Sequence, residues 1–260
     1  MSFIADTIQS VNSKNRKALS VFLTAGFPRK ENFVELARSI YDAGADLLEI
    51  GIPFSDPLAD GPVIQNSSQV ALANGMDLHT VLQMAEAIKK SAARPLILMG
   101  YSNPIIHYGF ERFDADAANA GVDGLIIPDV PLEEYDDFFG QSNTGIDRIL
   151  LTTPTSPKER IIEIDRRSSG FVYCVSVTGT TGERNHFDER TLANLQRTYH
   201  TLQNNKMLIG FGISSPQDVK QFAPFCDGVI VGSAMIKRLM NSREDALQLI
   251  GALRKACDEG

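Results

Sequence analysis

Eight short apolar runs separated by helical patterns are the feature of this 260-residue chain that most restricts its fold. Most of the runs are nearly continuous in apolar residues, which is typical of parallel strands covered on both faces. Strands are predicted at Ala18–Leu23, Asp46–Gly51, Pro95–Met99, Gly124–Ile127, Arg148–Leu151, Phe171–Val175, Met207–Phe211 and Gly228–Val231. Eight strands, each followed by a helix, favour a closed (β/α)8 TIM barrel of the α/β class over an open doubly wound sheet.

The helical segments complete this prediction. They include Glu31–Asp42, Leu78–Lys90, Glu111–Ala120, Lys158–Arg167 and Arg190–Tyr199. An extra N-terminal helix is predicted because Phe3, Ile4, Ile8 and Val11 share one stripe, and a short helix is expected after the eighth strand. No linker or change of composition divides the chain, and its length suits one barrel, so residues 1–260 are predicted to form a single domain.

Charge and cysteine usage exclude several classes of function. The formal net charge of −7 argues against a nucleic-acid or anionic-membrane partner, which needs a clustered positive surface. The three cysteines lie far apart without metal-ligand spacing, which favours reduced thiols and a cytoplasmic protein over a zinc site or a disulfide framework. No segment reaches the ~18 consecutive apolar residues of a membrane span.

A weak internal repeat singles out Glu49. Three times a helix ends, an Asp follows and an apolar strand begins, and the third position after that Asp holds Glu49, Ile126 and Ile230 in turn. An ionised carboxylate among apolar neighbours is costly to desolvate, so it needs a partner or a raised pKa. Active sites of this fold collect at the C-terminal ends of the strands, so Glu49 is a candidate catalytic group. The alternative is a buried glutamate satisfied by a nearby donor.

Asp60 is the second candidate acid. It belongs to Ser55–Pro62, a long loop of mostly small residues that directly follows the strand of Glu49 and is expected to return over the barrel mouth. The alternative is an ordinary turn aspartate before Gly-Pro. Asp56 is the weaker candidate, because an aspartate before proline is common at turns. Two carboxylates in different surroundings can titrate apart, one as acid and base and the other as a fixed negative charge.

Glycines after the last two strands predict a phosphate site. Gly210–Ser214 and Val231–Ala234 occupy the loops that, with a short helix N-terminus, usually hold phosphate in this fold. For each motif taken alone, the alternative interpretation is a glycine at an ordinary strand end. Ser215 and Pro216 are interpreted as a helix N-cap followed by proline at the first helical position. The glycine- and hydroxyl-rich segment Thr178–Arg184 predicts a mobile lid, with an ordinary surface loop as the alternative.

The groups on which most aldolases depend are missing from the predicted barrel mouth. No predicted strand carries a lysine for a Schiff base at its C-terminal end, and Lys206 precedes its strand and so lies at the opposite end. The histidines are not clustered with carboxylates as metal ligands. Any carbon–carbon cleavage must therefore place its electrons on the substrate itself, and no metal or organic cofactor is predicted.

The stretch Leu48–Gln65, LEIGIPFSDPLADGPVIQ, resembles the signature of the tryptophan synthase alpha subunit family. Further similar segments are Leu23–Gly26, Tyr101–Pro104, Gly121–Asp129 and Gly210–Ser214. The resemblance implies a lyase that cleaves indole-3-glycerol phosphate to indole and glyceraldehyde 3-phosphate by a retro-aldol reaction. It also implies a pyridoxal-phosphate beta subunit as partner, in an alpha2beta2 complex that receives the indole.

The resemblance also implies roles for single residues. Glu49 would exchange protons at indole C3 and at the glycerol hydroxyl, and Asp60 would accept the indole N–H. The residues implied around indole and glycerol are Phe22, Met99, Tyr101, Ile126 and Tyr173, with Thr181 meeting Asp60 as the lid closes. The residues implied around phosphate are Gly182, Gly212, Ile213, Gly232 and Ser233. Phe27, Val177 and Thr180 depart from common family members, which bears on lid closure and on communication with the partner.

Three alternatives stay open. A non-catalytic subunit that binds a phosphorylated ligand and activates a partner would be expected to have lost one acid, whereas Glu49 and Asp60 are both present. A stand-alone lyase would release free indole. Another phosphate-binding barrel enzyme, such as an isomerase, is disfavoured by the long signature.

Overall fold

A single parallel sheet contains every strand of the computed structural model. The structure describes residues 2–140, 142, 144–175, 189–210 and 212–259, without the side chain of Arg190. The strands are β1 (Ala18–Thr24), β2 (Leu47–Gly51), β3 (Leu96–Met99), β4 (Gly124–Ile126), β5 (Asp147–Arg148), β6 (Leu150–Thr152), β7 (Val172–Val175), β8 (Met207–Gly210) and β9 (Gly228–Val231). Their order is β5-β4-β3-β2-β1-β9-β8-β7-β6.

The sheet closes through one interrupted strand. β5 pairs with β4 and β6 pairs with β7, and only Ile149 separates β5 from β6. The cause of the interruption lies about twenty residues further along the chain, where the hydroxyl groups of Ser169 and Ser168 accept hydrogen bonds from the backbone N–H groups of Arg148 and Leu150 at 2.8 and 3.0 Å. The two parts together form the fifth strand of an eight-stranded barrel. The predicted (β/α)8 fold is therefore confirmed.

Helices surround the barrel and close its N-terminal end. They are α1 (Phe3–Asn12), α2 (Phe33–Asp42), α3 (Pro62–Ala73), α4 (Leu78–Ser91), α5 (Ser102–Tyr108), α6 (Phe110–Asn119), α7 (Tyr135–Phe139), α8 (Lys158–Arg167), α9 (Glu189–Thr201), α10 (Pro216–Phe222), α11 (Ser233–Asn241) and α12 (Arg243–Asp258). The predicted N-terminal helix is α1, whose Ile4 and Ile8 are fully buried in the cluster that fills the barrel. The extra helix expected after the last strand is α11.

Alternation along β2 separates two hydrophobic cores. Leu48 and Ile50 belong to the core between the strands and the surrounding helices, whereas Leu47 belongs to the cluster inside the barrel. Because successive side chains of a strand point to opposite faces, Glu49 shares the interior face with Leu47. Ile126 and Ile230 also belong to the interior cluster. The repeat thus aligns Glu49 with two interior isoleucines, and the glutamate occupies a position that these strands fill with apolar side chains.

The aspartates of the same repeat stabilise the opposite end of the barrel. Each accepts a hydrogen bond of 2.8 to 2.9 Å from a backbone N–H of the neighbouring strand: Asp46 from Leu19, Asp123 from Leu96 and Asp227 from Met207. Each also forms an ion pair, with Arg254, Lys89 and Lys206 respectively. Lys206 therefore lies at the N-terminal end of the strands, as predicted. The repeat serves stability at this end and leaves the C-terminal end for the site.

Candidate active site

Glu49 lies in the middle of β2 and is fully buried inside the barrel. In the strand register it is opposite Phe22 on β1 and Ile97 on β3. Its Oε1 accepts a hydrogen bond of 2.6 Å from the hydroxyl of Ser20, and no described residue donates to its Oε2. Burial raises the pKa of Glu49 from 4.5 to about 7, although the Ser20 hydroxyl acts in the opposite direction. Both protonation states are therefore populated near neutral pH.

Asp60 lies in the loop between β2 and α3 and is half-buried. The hydroxyl of Tyr101, two residues after β3, accepts a hydrogen bond from the Ala59 N–H at 3.1 Å and donates one to the Asp60 carboxylate. The side-chain amide of Gln65 donates to the Asp60 carbonyl at 2.8 Å. Burial raises the pKa of Asp60, and the Tyr101 hydrogen bond partly offsets this effect. The loop is therefore fixed from two sides, with the carboxylate against Tyr101.

A small pocket is lined by Asp60 and by three of the residues expected around the substrate, Phe22, Met99 and Tyr101. Gly51 makes room for the ring of Phe22, because a Cβ at this position would lie only 2.4 Å from the ring's Cζ atom. Each of these residues lies at or just beyond the C-terminal end of its strand, or in the Asp60 loop. The pocket therefore opens at the barrel mouth.

Tyr173 on β7 connects the two acids electrostatically. Burial raises the pKa of Tyr173 well above its ordinary value, and the negative charges of Glu49 and Asp60 raise it further. The charges of both carboxyl groups therefore act on this one side chain, although Glu49 is not among the described residues that line the pocket of Asp60. Gly210 makes this position of the ring possible, because a Cβ there would lie 2.0 Å from the Tyr173 hydroxyl oxygen. Ile126 lies inside the barrel, in register with Met99 on β3.

Four of the residues predicted to bind phosphate, Gly212, Ile213, Gly232 and Ser233, lie beyond β8 and β9. These two strands pair with each other, and β9 also pairs with β1. Gly212 adopts a φ of +82°, which favours glycine, and Ile213 is buried. Gly232 precedes α11 and Ser233 is its first residue. A Cβ on Gly232 would lie 3.7 Å from the Cβ of Phe22, so this loop borders the pocket. N–H groups at a helix start of this kind suit an anion.

Several predicted residues lie outside the described part of the chain. They are Thr181 and Gly182 of the predicted site, Val177 and Thr180 among the family departures, the predicted lid Thr178–Arg184, and Phe211 within the predicted phosphate loop. Phe27, the remaining departure, is buried in the core between barrel and helices. The N-cap interpretation of Ser215 is confirmed, because its hydroxyl caps α10 and Asp218 completes a capping box.

Ser20 and Asp129 are two residues near the candidate site that were not predicted from the sequence. Ser20 is fully buried and contacts Glu49. The sequence feature that could have revealed it is a polar residue at an interior strand position, two residues before Phe22. Asp129 accepts hydrogen bonds from the N–H and hydroxyl of Ser102 at 2.9 and 2.7 Å, which joins the loops after β3 and β4. Its signal was its place at the end of a family-like segment.

Further features of the described residues bear on cofactors and surroundings. Among the residues that the structure describes, no group of three or more His, Cys, Asp and Glu side chains is arranged to hold a metal ion. None of the helices in that part of the chain combines the length and the apolar character that crossing a membrane requires. The three cysteines are buried free thiols.

Comparisons with known proteins agree on one family. The family model described as tryptophan synthase alpha chain matches residues 8–259. The alpha chain of Petrotoga mobilis is 42% identical over 243 residues, which cover 93% of this chain and 94% of that one. The alpha chain of Geotalea uraniireducens is 44% identical over 251 residues, covering 95% and 93%.

Solved structures lead to the same family. Tryptophan synthase subunit alpha from Legionella pneumophila has a TM-score of 0.91 at 35% identity, with both chains covered completely. A chain of Mycobacterium tuberculosis tryptophan synthase has a TM-score of 0.92 at 33% identity, covering 100% of this chain and 99% of that chain. With its barrel, its buried glutamate and these matches over nearly its whole length, the chain belongs to the tryptophan synthase alpha chain family.

Proposed function

We propose that the chain is a carbon–carbon lyase of tryptophan biosynthesis that cleaves indole-3-glycerol phosphate to indole and D-glyceraldehyde 3-phosphate. The observation that carries this proposal is Glu49, a carboxyl group in an apolar barrel interior with one oxygen without a partner among the described residues. Its pKa of about 7 suits a group that must both donate and accept a proton at neutral pH.

The proposed reaction needs no electron sink outside the substrate. Protonated Glu49 donates its proton to indole C3, which converts the ring into a cationic indolenine. The resulting carboxylate then accepts the proton of the hydroxyl on the carbon bonded to C3. The bond between that carbon and C3 breaks, its electron pair returns to the ring, and the hydroxyl carbon becomes the aldehyde. Glu49 ends the cycle protonated, as it began.

Asp60 is proposed to accept the indole N–H and to stabilise the positive charge that develops on the ring. Its place in the pocket beside Phe22 and Met99 supports this role. The hydrogen bond from Tyr101 favours the ionised form that the role requires.

Replacing Asp60 by Asn is expected to lower kcat/KM for lysis by at least about 10-fold, because the amide keeps the size of the side chain but loses its charge. Indole release by the isolated chain measures the effect. Asp56→Asn, an exposed acid in the same loop, is the matched control and should stay within about twofold of the unmodified chain. Equal losses in both variants would show that the loop, rather than the Asp60 charge, is responsible.

The rest of the substrate is assigned to residues of the same end of the barrel. Phe22, Met99, Tyr101, Ile126 and Tyr173 are proposed to surround indole and glycerol, with Thr181 approaching Asp60. Gly182, Gly212, Ile213, Gly232 and Ser233 are proposed to hold the phosphate. The position of Gly232 beside Phe22 supports one continuous site for both parts of the substrate.

The partner proposed for this chain is a beta subunit, in an alpha2beta2 complex that consumes the indole. We further propose that residues 1–260 act as one domain, that the protein works in the cytoplasm, and that neither nucleic acid nor a membrane is a partner. Phe27, Val177 and Thr180 are proposed to alter lid closure and communication with the beta subunit rather than the reaction.

Indole release from indole-3-glycerol phosphate tests the proposal, with the purified chain alone and with a tryptophan synthase beta subunit. We expect slow release by the chain alone and strong stimulation by the beta subunit. Fast release without stimulation would instead support a stand-alone lyase. No release in either assay, with substrate binding and activation of the beta subunit retained, would support the non-catalytic alternative.

A further inference from the structure

The two carboxylate oxygens of Glu49 are not equivalent. Oε1 accepts the 2.6 Å hydrogen bond from Ser20, whereas Oε2 has no hydrogen-bond partner among the described residues. Ser20 is fully buried on β1, two residues before Phe22 and therefore on the same interior face. A buried oxygen without a partner is costly, and its presence in a candidate active site indicates a task other than stability.

We propose that Ser20 is a positioning residue, which holds Oε1 of Glu49 as a hydrogen-bond acceptor and leaves Oε2 to carry the proton that is exchanged with the substrate. This inference rests on the proposed function, because it assigns the exchanged proton to one atom of Glu49.

The assignment follows from the donor inventory of the pair. A serine hydroxyl has one proton, and here it is donated to Oε1. While Oε1 accepts that bond, the proton of the neutral carboxyl group is carried on Oε2. The parallel pairing of β1 with β2 fixes the backbones of both residues. The hydroxyl therefore fixes the last torsion angle of the glutamate, which is otherwise broad for a terminal carboxylate.

The side chains that the other elements place around Glu49 are apolar or titratable. β3 contributes the apolar side chains of Ile97 and Met99. The titratable groups on this side are Tyr173 from β7, whose pKa is raised by the charges of both acids, and Asp60 from the loop after β2. Ser20 is the group that donates to Oε1 and lowers the pKa of Glu49 against the effect of burial.

Ser20→Ala is expected to raise the pKa of Glu49 and to lower kcat for lysis by about 10-fold, with little change in KM. The hydrogen bond to the charged form is lost, so the ionised state becomes rarer and the carboxyl group rotates more freely. The pH profile of kcat should therefore move to higher pH. Ser20→Thr keeps the hydroxyl and should restore both the profile and most of kcat.

Infrared titration of the Glu49 carboxyl group tests the inference without turnover. The C=O band of the protonated acid is assigned as the band that Glu49→Gln removes, and its midpoint is measured in the unmodified chain, Ser20→Ala and Ser20→Thr. A midpoint near 7 in the unmodified chain and in Ser20→Thr, with a midpoint higher than 7 in Ser20→Ala, supports the proposal. If Ser20→Ala does not fold, Ser20→Cys replaces it, because a thiol keeps the shape but is a weak donor.

An unshifted midpoint in Ser20→Ala would overturn the inference, and so would a loss of kcat without a shift in the pH profile. These failures are distinguishable from failure of the proposed function. If the unmodified chain releases no indole with or without a beta subunit, the proposed function fails, and if Glu49→Gln retains turnover, the role of Glu49 in it fails. If Glu49→Gln is inactive and Ser20→Ala titrates like the unmodified chain, only the role of Ser20 fails.

Discussion

Glu49→Gln is expected to lower the rate of indole-3-glycerol phosphate cleavage by at least about 100-fold while the protein still binds an analogue such as indole-propanol phosphate. Glutamine has nearly the size of glutamate, and its carbonyl oxygen can accept the same hydrogen bond from Ser20. It cannot exchange a proton at neutral pH. The substitution therefore removes the chemistry that the buried carboxyl group is proposed to supply and leaves the pocket intact.

Steady-state indole release gives kcat and KM, and calorimetry with the analogue gives the dissociation constant. Glu86→Gln is the matched control, because Glu86 is an exposed acid on α4 that forms an ion pair with Lys90. It should retain the rate of the unmodified chain. Near-normal turnover by Glu49→Gln would exclude the proposed role. A loss of analogue binding equal to the loss of rate would indicate damage to the site rather than to proton exchange.

The barrel could be predicted because the amino-acid composition of its strands is enough to distinguish them from the segments around them. β9 and α8 have the predicted bounds, Gly228–Val231 and Lys158–Arg167. Buried parallel strands are continuous apolar runs, and the helices between them repeat every three to four residues. Both signals are local, so they survive without knowledge of the fold.

The break between β5 and β6 was not predictable in the same way. Arg148–Leu151 was predicted as one uninterrupted strand, whereas the structure ends β5 at Arg148 and begins β6 at Leu150. The cause is a pair of hydroxyl groups about twenty residues further along the chain, at Ser168 and Ser169. Side chains that compete with a strand ladder from another loop leave no trace in the periodicity of the strand itself.

The candidate site shows the same difference between signals within one segment and contacts between distant segments. An interior glutamate could be located by comparison with Ile126 and Ile230, because the internal repeat aligns their strands. Its partner Ser20 lies 29 positions earlier, and the Tyr101 that holds Asp60 lies 41 positions later than that acid. Such pairings depend on strand register and loop packing, which a single sequence does not specify. The sequence therefore indicated the candidate acids, and the contacts that tune them required the structure.

Glu49→Gln is also expected to change how stability depends on pH. Relative to the unmodified chain, the free energy of unfolding of the variant should be higher at alkaline pH than at acidic pH. Burial raises the pKa of Glu49 to about 7 from 4.5. Below pH 4.5 the group is protonated in both the folded and the unfolded state and has little effect. Between 4.5 and 7 the folded state binds more protons than the unfolded state, so the free energy of unfolding falls as the pH rises. Above 7 the penalty is constant, at about 3 kcal/mol.

The glutamine of the variant has no such titration, so the difference in the free energy of unfolding between Glu49→Gln and the unmodified chain should grow in favour of the variant by about 2.5 kcal/mol from about pH 5 to about pH 8. Urea unfolding of both proteins at the two pH values measures it. Taking the difference of differences cancels every other titrating group and any constant effect of the substitution. Glu86→Gln should show no such change. Parallel pH dependences for Glu49→Gln and the unmodified chain would mean that the Glu49 carboxyl group is not held in a desolvated site, and the proton exchange proposed for it would lose its physical basis.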